Sequence, residues 1–307
     1  MRQNYFIFCI DVEPHHRTPA KGARSEWDSF EDAFQLFEEW RGLLAQATKQ
    51  PVNFNWFLRL DPQIEQIFGS VAWVVDNYRE IFNRILAAGD EIGIHLHAYR
   101  WDSINQVWFS DFADSNWIEH CIQTSVRAYR DVFRCSASAF RFGDRWMSNQ
   151  TIESLEKAGI KYDLTLEPGT KSTSRLSLPE PATQDLPDYR NTPRRPYQPS
   201  VTNYLCPGQD DKRKIWMIPV SASPARWHLS RRWPFLHSGG YQLNLALSTF
   251  RQTRLINHLM SAKSSQLIVA LFRTGDLAEE QYRNNFIKNL RAISHHPRLE
   301  TYNFTTP

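Results

Sequence analysis

Short apolar runs alternate with longer segments of helical periodicity along nearly the whole chain, and this alternation restricts the fold more than any other feature. Asn4–Ile10 (NYFIFCI) is β-branched and aromatic without a polar break, as in a strand buried on both faces. Phe30, Phe34, Phe37, Trp40 and Leu44 then recur at helical spacing, which predicts an amphipathic helix over about 28–48. Val52–Leu58 reads as the next strand, about 72–88 as a helix stopped by Gly89, and EIGIHLH as a third strand. A helix at about 117–134 follows, then the strand SAFRFG, a helix at about 149–158 closed by Gly159, and the strand IKYDLTL. Last come the strand KIWMIPV, a helix at about 241–262, the strand SQLIVALFR, a helix at about 279–294 and the strand-like LETYNF. Repeated β–α units predict an α/β fold with a parallel sheet and right-handed crossovers. Their number suits a closed or nearly closed barrel in a single domain over 1–307.

One stretch breaks the rhythm. Pro168–Gly208 holds eight of the 17 prolines, together with Ser, Thr and Asn. Proline lacks a donor and ends helices, so about 168–208 is expected to be an irregular excursion over one face of the barrel.

Charge and composition exclude several classes. A formal charge of +3, with Arg194-Arg195 and Arg231-Arg232 as mere local pairs, argues against nucleic acid as a partner. The apolar run near the N-terminus is too short for a signal peptide, and no stretch is long enough for a membrane span. A cytoplasmic protein is the expectation. Cys9, Cys121, Cys135 and Cys206 show no CxxC spacing, so reduced and mostly buried thiols are expected.

In parallel α/β folds the chemistry gathers at the carboxyl ends of the strands. Those ends here carry Asp11 and Glu13, Arg59 and Asp61, His95 and His97, Arg141, and Arg273 with Asp276, while Asp163 lies within the fifth strand. Taken singly, each has a plain structural reading. Asp11 and Glu13 suit a solvated turn, and Arg141 with Asp163 suits an ion pair. Their coincidence at one edge favours a site. Asp11 and Glu13 are two apart and share a side of an extended chain, as do His95 and His97. Two imidazoles and one carboxylate form the ligand set of a catalytic divalent metal, zinc above all. The second carboxylate is then free to act as a general base.

Five ordered pieces, FCIDVEP, GDEIGIHLHAYRW, FRFGDRW, AGIKYDLTLEPG and LIVALFRTGD, together resemble the polysaccharide deacetylase superfamily over about 6–276. The resemblance implies a distorted (β/α)7 barrel and a metal-dependent deacetylase. It implies Asp11 as general base, Arg141 as the residue that orients it, and Trp146 as an aromatic wall of the substrate groove. Glu13 and His95 fall at metal-ligand positions. The usual second histidine position is Tyr99, so His97 takes that role in a His-x-His arrangement. The late histidine that serves the family as general acid is replaced by Arg273, which can steady an oxyanion but holds its proton near neutral pH. His15, His16 and His237 are the remaining candidates for the acid. Arg59, Asp61 and Asp163 are expected to contact substrate. The expected function is removal of an acetyl or other acyl group from an amino-sugar or glycan precursor. The alternatives are hydrolysis of a non-sugar C–N bond and a catalytically incomplete barrel that binds glycans.

Overall fold

The computed structural model describes residues 3–209, 212–224, 242–262 and 265–307; Arg231, Arg232 and His237 lie outside these residues. In chain order the first elements are β1 (Asn4–Val12), α1 (Asp28–Thr48), β2 (Asn55–Arg59), α2 (Pro62–Phe68), α3 (Trp73–Asn77), α4 (Arg79–Ala87) and β3 (Glu91–Leu96). A hairpin of β4 (Tyr99–Asp102) and β5 (Val107–Ser110) follows, then α5 (Ser115–Phe133), β6 (Ala139–Phe142), α6 (Asn149–Lys157) and β7 (Tyr162–Asp163). The rest comprises β8 (Trp216–Met217), β9 (Ala222–Pro224), β10 (Gln242–Asn244), α7 (Thr253–Met260), β11 (Leu267–Arg273), α8 (Glu280–Ser294) and β12 (Tyr302–Phe304).

The main sheet runs β11-β1-β2-β3-β6-β7-β8, and every pairing in it is parallel. Its ends come back together beyond β8. Ser221 N donates to Val269 O at 2.9 Å, and Val269 N donates to Ser221 Oγ at 3.0 Å. The chain therefore curls into a distorted (β/α)7 barrel, with β12 added beside the first residues of β1.

Two apolar layers hold the barrel. Outside, α1 lays Phe30, Phe34, Phe37 and Trp40 against the strands, with Phe37 contacting Trp56, Phe272 and Phe286. Inside, Ile7, Cys9, Phe57, Ala139, Leu164, Ile218 and Val269 fill the floor. Gly93 is glycine because Phe57 takes its space: a Cβ there would lie 2.7 Å from the Phe57 ring and 2.9 Å from the Ala139 carbonyl oxygen. The side-chain period of two then carries the inner face from this floor to the ionisable residues above it.

Some local expectations fail. The helix expected over about 72–88 is divided at Tyr78, whose φ of −119° ends α3 and precedes α4. IKYDLTL pairs as a strand only at Tyr162–Asp163. The expected helix at about 241–262 is the short β10, an irregular turn and α7. Apolar residues of a buried strand and of a helix face are hard to separate when no cap marks the join. All four cysteines are free, but Cys135 and Cys206 are exposed rather than buried. The 168–208 excursion is irregular as expected, and its Ala182 bridges to Ser110 beside the hairpin. No helix among the described residues is long and apolar enough to cross a membrane.

Candidate metal centre

The register of the barrel puts Asp11 level with Arg273 and lines up Arg59, His95 and Arg141 in one row. Asp11 and Glu13 continue the inward side of β1 above Ile7 and Cys9, and His95 and His97 that of β3 above Gly93. Asp11, Glu13, His95 and His97 are each at most 2 % exposed.

Both imidazoles are held from behind. His95 Nδ1 donates to the Arg141 carbonyl oxygen at 2.9 Å, and His97 Nδ1 donates to Asp144 Oδ2 at 2.8 Å. Each tautomer leaves a lone pair on Nε2, and the two Nε2 atoms face each other at 3.1 Å. Glu13 Oε2 lies 3.4 Å from His97 Nε2, Glu13 Oε1 lies 3.8 Å from His95 Nε2, and Oε2 has no hydrogen-bond partner. Two lone pairs and a carboxylate oxygen converging in a buried pocket repel one another unless a positive charge, a proton or a metal ion, sits among them. Four ligands about 2.0–2.1 Å from a tetrahedral zinc stand roughly 3.3 Å apart. The Glu13, His95 and His97 donor set, all within 4.8 Å, fits a divalent ion of that kind.

The electrostatics agree with this geometry at His95 and Glu13, whereas His97 must give up a proton for its Nε2 to serve as a ligand. Burial pushes His95 down to about 4, against the pull of Asp11 and Glu13, so it stands neutral. Burial also disfavours charge on His97, but Asp144 and Glu13 outweigh it and raise its pKa. Burial opposes the Glu13 charge as well; Arg273, His97 and His95 overcome it and hold the carboxyl well below its usual range.

Asp144 is the functional residue that the sequence reading missed. It takes a left-handed conformation (φ 53°, ψ 17°) directly after Gly143, a strained backbone that swings its carboxylate under His97. Arg17 Nη1 donates to its other oxygen at 3.0 Å. A carboxylate behind a ligating histidine fixes the ring and strengthens it as a donor. Asp144→Ala is expected to weaken divalent-metal affinity about 10–100-fold, measured by titration against a competing chelator. Unchanged affinity would remove Asp144 from the centre.

Asp11 stands beside the ligands. Arg141 Nε donates to its Oδ2 at 3.0 Å, while Oδ1 has no hydrogen-bond partner and lies 3.9 Å from His95 Nδ1. Arg141 is anchored by a second bond from Nη1 to the Leu164 carbonyl oxygen, 2.5 Å. Arg273 turns its Nε onto Glu13 Oε1 and pairs its Nη1 with Asp276 at 3.2 Å. Tyr99 stacks flat against His97 with ring centroids 5.0 Å apart, so it supports the ring from the position where the resemblance places a ligand.

The residues expected to contact substrate are packed differently. Arg59 and Asp61 form a fully buried pair; Asp61 caps α2 and accepts from the His97 amide at 3.3 Å. They frame the backbone of His97. Trp146 is 7 % exposed and stacks on Phe112 at 4.7 Å. Leu164 holds the inward place beside Asp163, whose carboxylate accepts from Thr165 N at 3.0 Å and Thr165 Oγ1 at 2.7 Å.

Burial raises Asp163 to about 7, against the Thr165 hydrogen bonds and Arg141. The folded protein thus keeps a proton that the unfolded chain releases near pH 4. The resulting stabilisation is complete below that pH and is lost as pH rises through about 7. Asp163→Asn removes the dependence. Its free energy of unfolding should gain on the wild type across this range, by at most roughly 4 kcal/mol, and its unfolding midpoint should rise with it. Parallel curves of midpoint against pH would contradict it.

A cleft of about 700 Å³ opens beside the centre, with Arg17 and Arg273 in its wall. Glu180, from the proline-rich excursion, forms part of the same wall and lies 4.0 Å from Arg17.

No protein-family model and no curated protein sequence matches the chain. Among solved structures it is similar to a protein classed as a glycoside hydrolase/deacetylase from Parabacteroides distasonis, with TM-score 0.58 and 11% identity over 99% of this chain and 69% of that one. It is also similar to a protein classed as a polysaccharide deacetylase from Pseudomonas aeruginosa PAO1, with TM-score 0.50 and 10% identity over 99% of this chain and 88% of that one. A 4-alpha-glucanotransferase from Thermococcus litoralis matches with TM-score 0.50 and 14% identity, over 99% of this chain but 39% of its own. Identities this low establish the fold alone, a distorted barrel shared with these proteins. Neighbours with different reactions on one barrel show that the reaction must be argued from the site.

Proposed function

We propose that this protein is a divalent-metal-dependent hydrolase that removes an acetyl, or a closely related acyl, group from an amino-sugar or glycan. One observation carries the reading: the facing Nε2 atoms of His95 and His97, with the unpartnered Glu13 Oε2 beside them, converge next to an Asp11 that Arg141 holds in place. Similarity to a deacetylase-class protein supports the choice of acyl group.

Glu13, His95 and His97 would hold the ion, with zinc the first choice for this N/O donor set. When bound, such an ion supplies Lewis acidity, polarising an acyl carbonyl and making water a stronger acid. Asp11 accepts the proton of the attacking water through Oδ1, the oxygen that Arg141 Nε leaves free. Arg141 keeps Asp11 oriented through its Nε hydrogen bond. Arg273 keeps its proton, and its guanidinium steadies negative charge developing on the acyl oxygen. Asp11, once protonated, returns the proton to the leaving amine.

The test is acetate release from N-acetylated chito-oligosaccharides and from an aryl acetate, with the protein loaded with zinc, cobalt or manganese. Metal-dependent release supports the reading, and release that ignores metal and chelator opposes it. The contact of Arg273 with Glu13 favours one second reading, a barrel that binds glycan without turning it over. Glycan binding with no acetate from any substrate under any of these ions would establish that reading instead.

A further inference from the structure

The cleft beside the metal centre has a composition that an acyl group and a neutral sugar do not require. Arg17, Arg24 and Arg273 line it, with His15 and His16. Neutral sugars are held by hydroxyl–amide hydrogen bonds and aromatic faces, whereas converging guanidinium groups suit oxyanions. Its three carboxylates, Glu180, Asp276 and Glu279, equal the arginines in formal charge, so the case for an oxyanion rests on where the donors lie and not on net charge. Asp276 is taken by Ser248 Oγ and by Arg273 Nη1 at 3.2 Å. Glu180 stands 4.0 Å from Arg17 Nη2, beyond hydrogen-bond reach. Arg24 is exposed and shows no ion pair among the described residues.

Arg17 and Arg273 also bind the centre from the opposite direction. Arg273 Nε holds Glu13, and Arg17 Nη1 holds Asp144, which holds His97. A guanidinium carries five donors, and among the described residues Nη2 of Arg17 and of Arg273 makes no hydrogen bond. A divalent ion at Glu13 would commit that carboxylate and leave the charge of Arg273 less compensated. The centre and the cleft therefore share two arginines, each held toward the centre and each lining the opening.

We propose that the cleft is a subsite for an oxyanion, a phosphate or a carboxylate, carried by the same sugar that presents its acyl group to the centre. The proposal rests on the hydrolase reading above and narrows its substrate class to acidic acyl-sugars.

Calorimetric titration of the metal-loaded protein tests it directly, using N-acetylglucosamine, N-acetylglucosamine 1-phosphate and N-acetylmuramic acid as probes. At low salt one of the two acidic sugars should bind at least about tenfold tighter than the neutral one. The better of the two identifies the oxyanion as phosphate or carboxylate. Arg24→Gln should reduce that advantage by about three- to tenfold, and added salt should erode it. Arg24 is an exposed side chain, so the variant folds; Arg17→Gln, checked for retained metal, is the second variant. Equal affinity for all three sugars, or no binding of either acidic one, would overturn the subsite. So would an advantage that survives both substitutions, because the anion would then be bound by the metal itself. The metal content of the same samples reports separately on the hydrolase reading, which fails if no ion is taken up.

Discussion

Asp11→Asn is expected to lower acetate release by about 10²–10⁴-fold while leaving the bound metal in place. Asparagine preserves the shape and one acceptor for Arg141 Nε, which now holds Oδ2 at 3.0 Å, but it cannot take a proton from water. Asp11 lies outside the Glu13, His95 and His97 donor set, so metal content should not follow activity down. Initial rates of acetate release, with metal analysis of the same preparations, check both halves. Activity within about threefold of wild type would remove Asp11 from the role of base, since a lost proton acceptor costs far more. Loss of metal along with activity would show Asp11 to be a ligand.

Gly143→Ala should be nearly as damaging without replacing an ionisable group. A Cβ at Gly143 would lie 2.2 Å from His97 Cε1 and 2.3 Å from His97 Nε2, far inside any real contact. His97 is pinned by Asp144 on one side and Tyr99 on the other, so the ring cannot step away without leaving its place in the centre. Metal affinity should fall by more than about 100-fold and stability by about 1–3 kcal/mol, the usual cost of overpacking. Gly42→Ala is the control. A Cβ there meets nothing within 4 Å, and its place inside α1 predicts a gain of up to about 1 kcal/mol. Thermal unfolding and chelator competition on the two variants would separate them; a Gly143→Ala protein that binds metal like wild type would contradict the geometry.

The parts of this centre that lie on strands were legible because strand periodicity is simple. Asp11 and Glu13, like His95 and His97, differ by two and must share a face. Arg141 and Arg273 could be placed at the same edge once the apolar runs were read as parallel strands. Asp144 was hidden because its role depends on a left-handed turn after Gly143, and no spacing rule marks a carboxylate that acts from behind a ligand. The burial of Arg59 and Asp61 was equally hidden: a charge at a strand end reads the same whether it meets substrate or caps a helix, as Asp61 does for α2. The β4–β5 hairpin was missed because each strand has only four residues, too few for alternation to stand out. Tyr78 divides α3 from α4 through its backbone angle alone, which the helical spacing of Trp73, Asn77 and Ile81 conceals.

Metal content is the most direct test of the central claim. Elemental analysis of the purified protein, after incubation with divalent ions and removal of excess, should find close to one ion per chain. The His95→Ala/His97→Ala variant, folded by circular dichroism, should hold none. A wild type that takes up no ion, or a variant that keeps its ion, would contradict the account, because the facing Nε2 atoms and Glu13 would then not be the ligands of a metal.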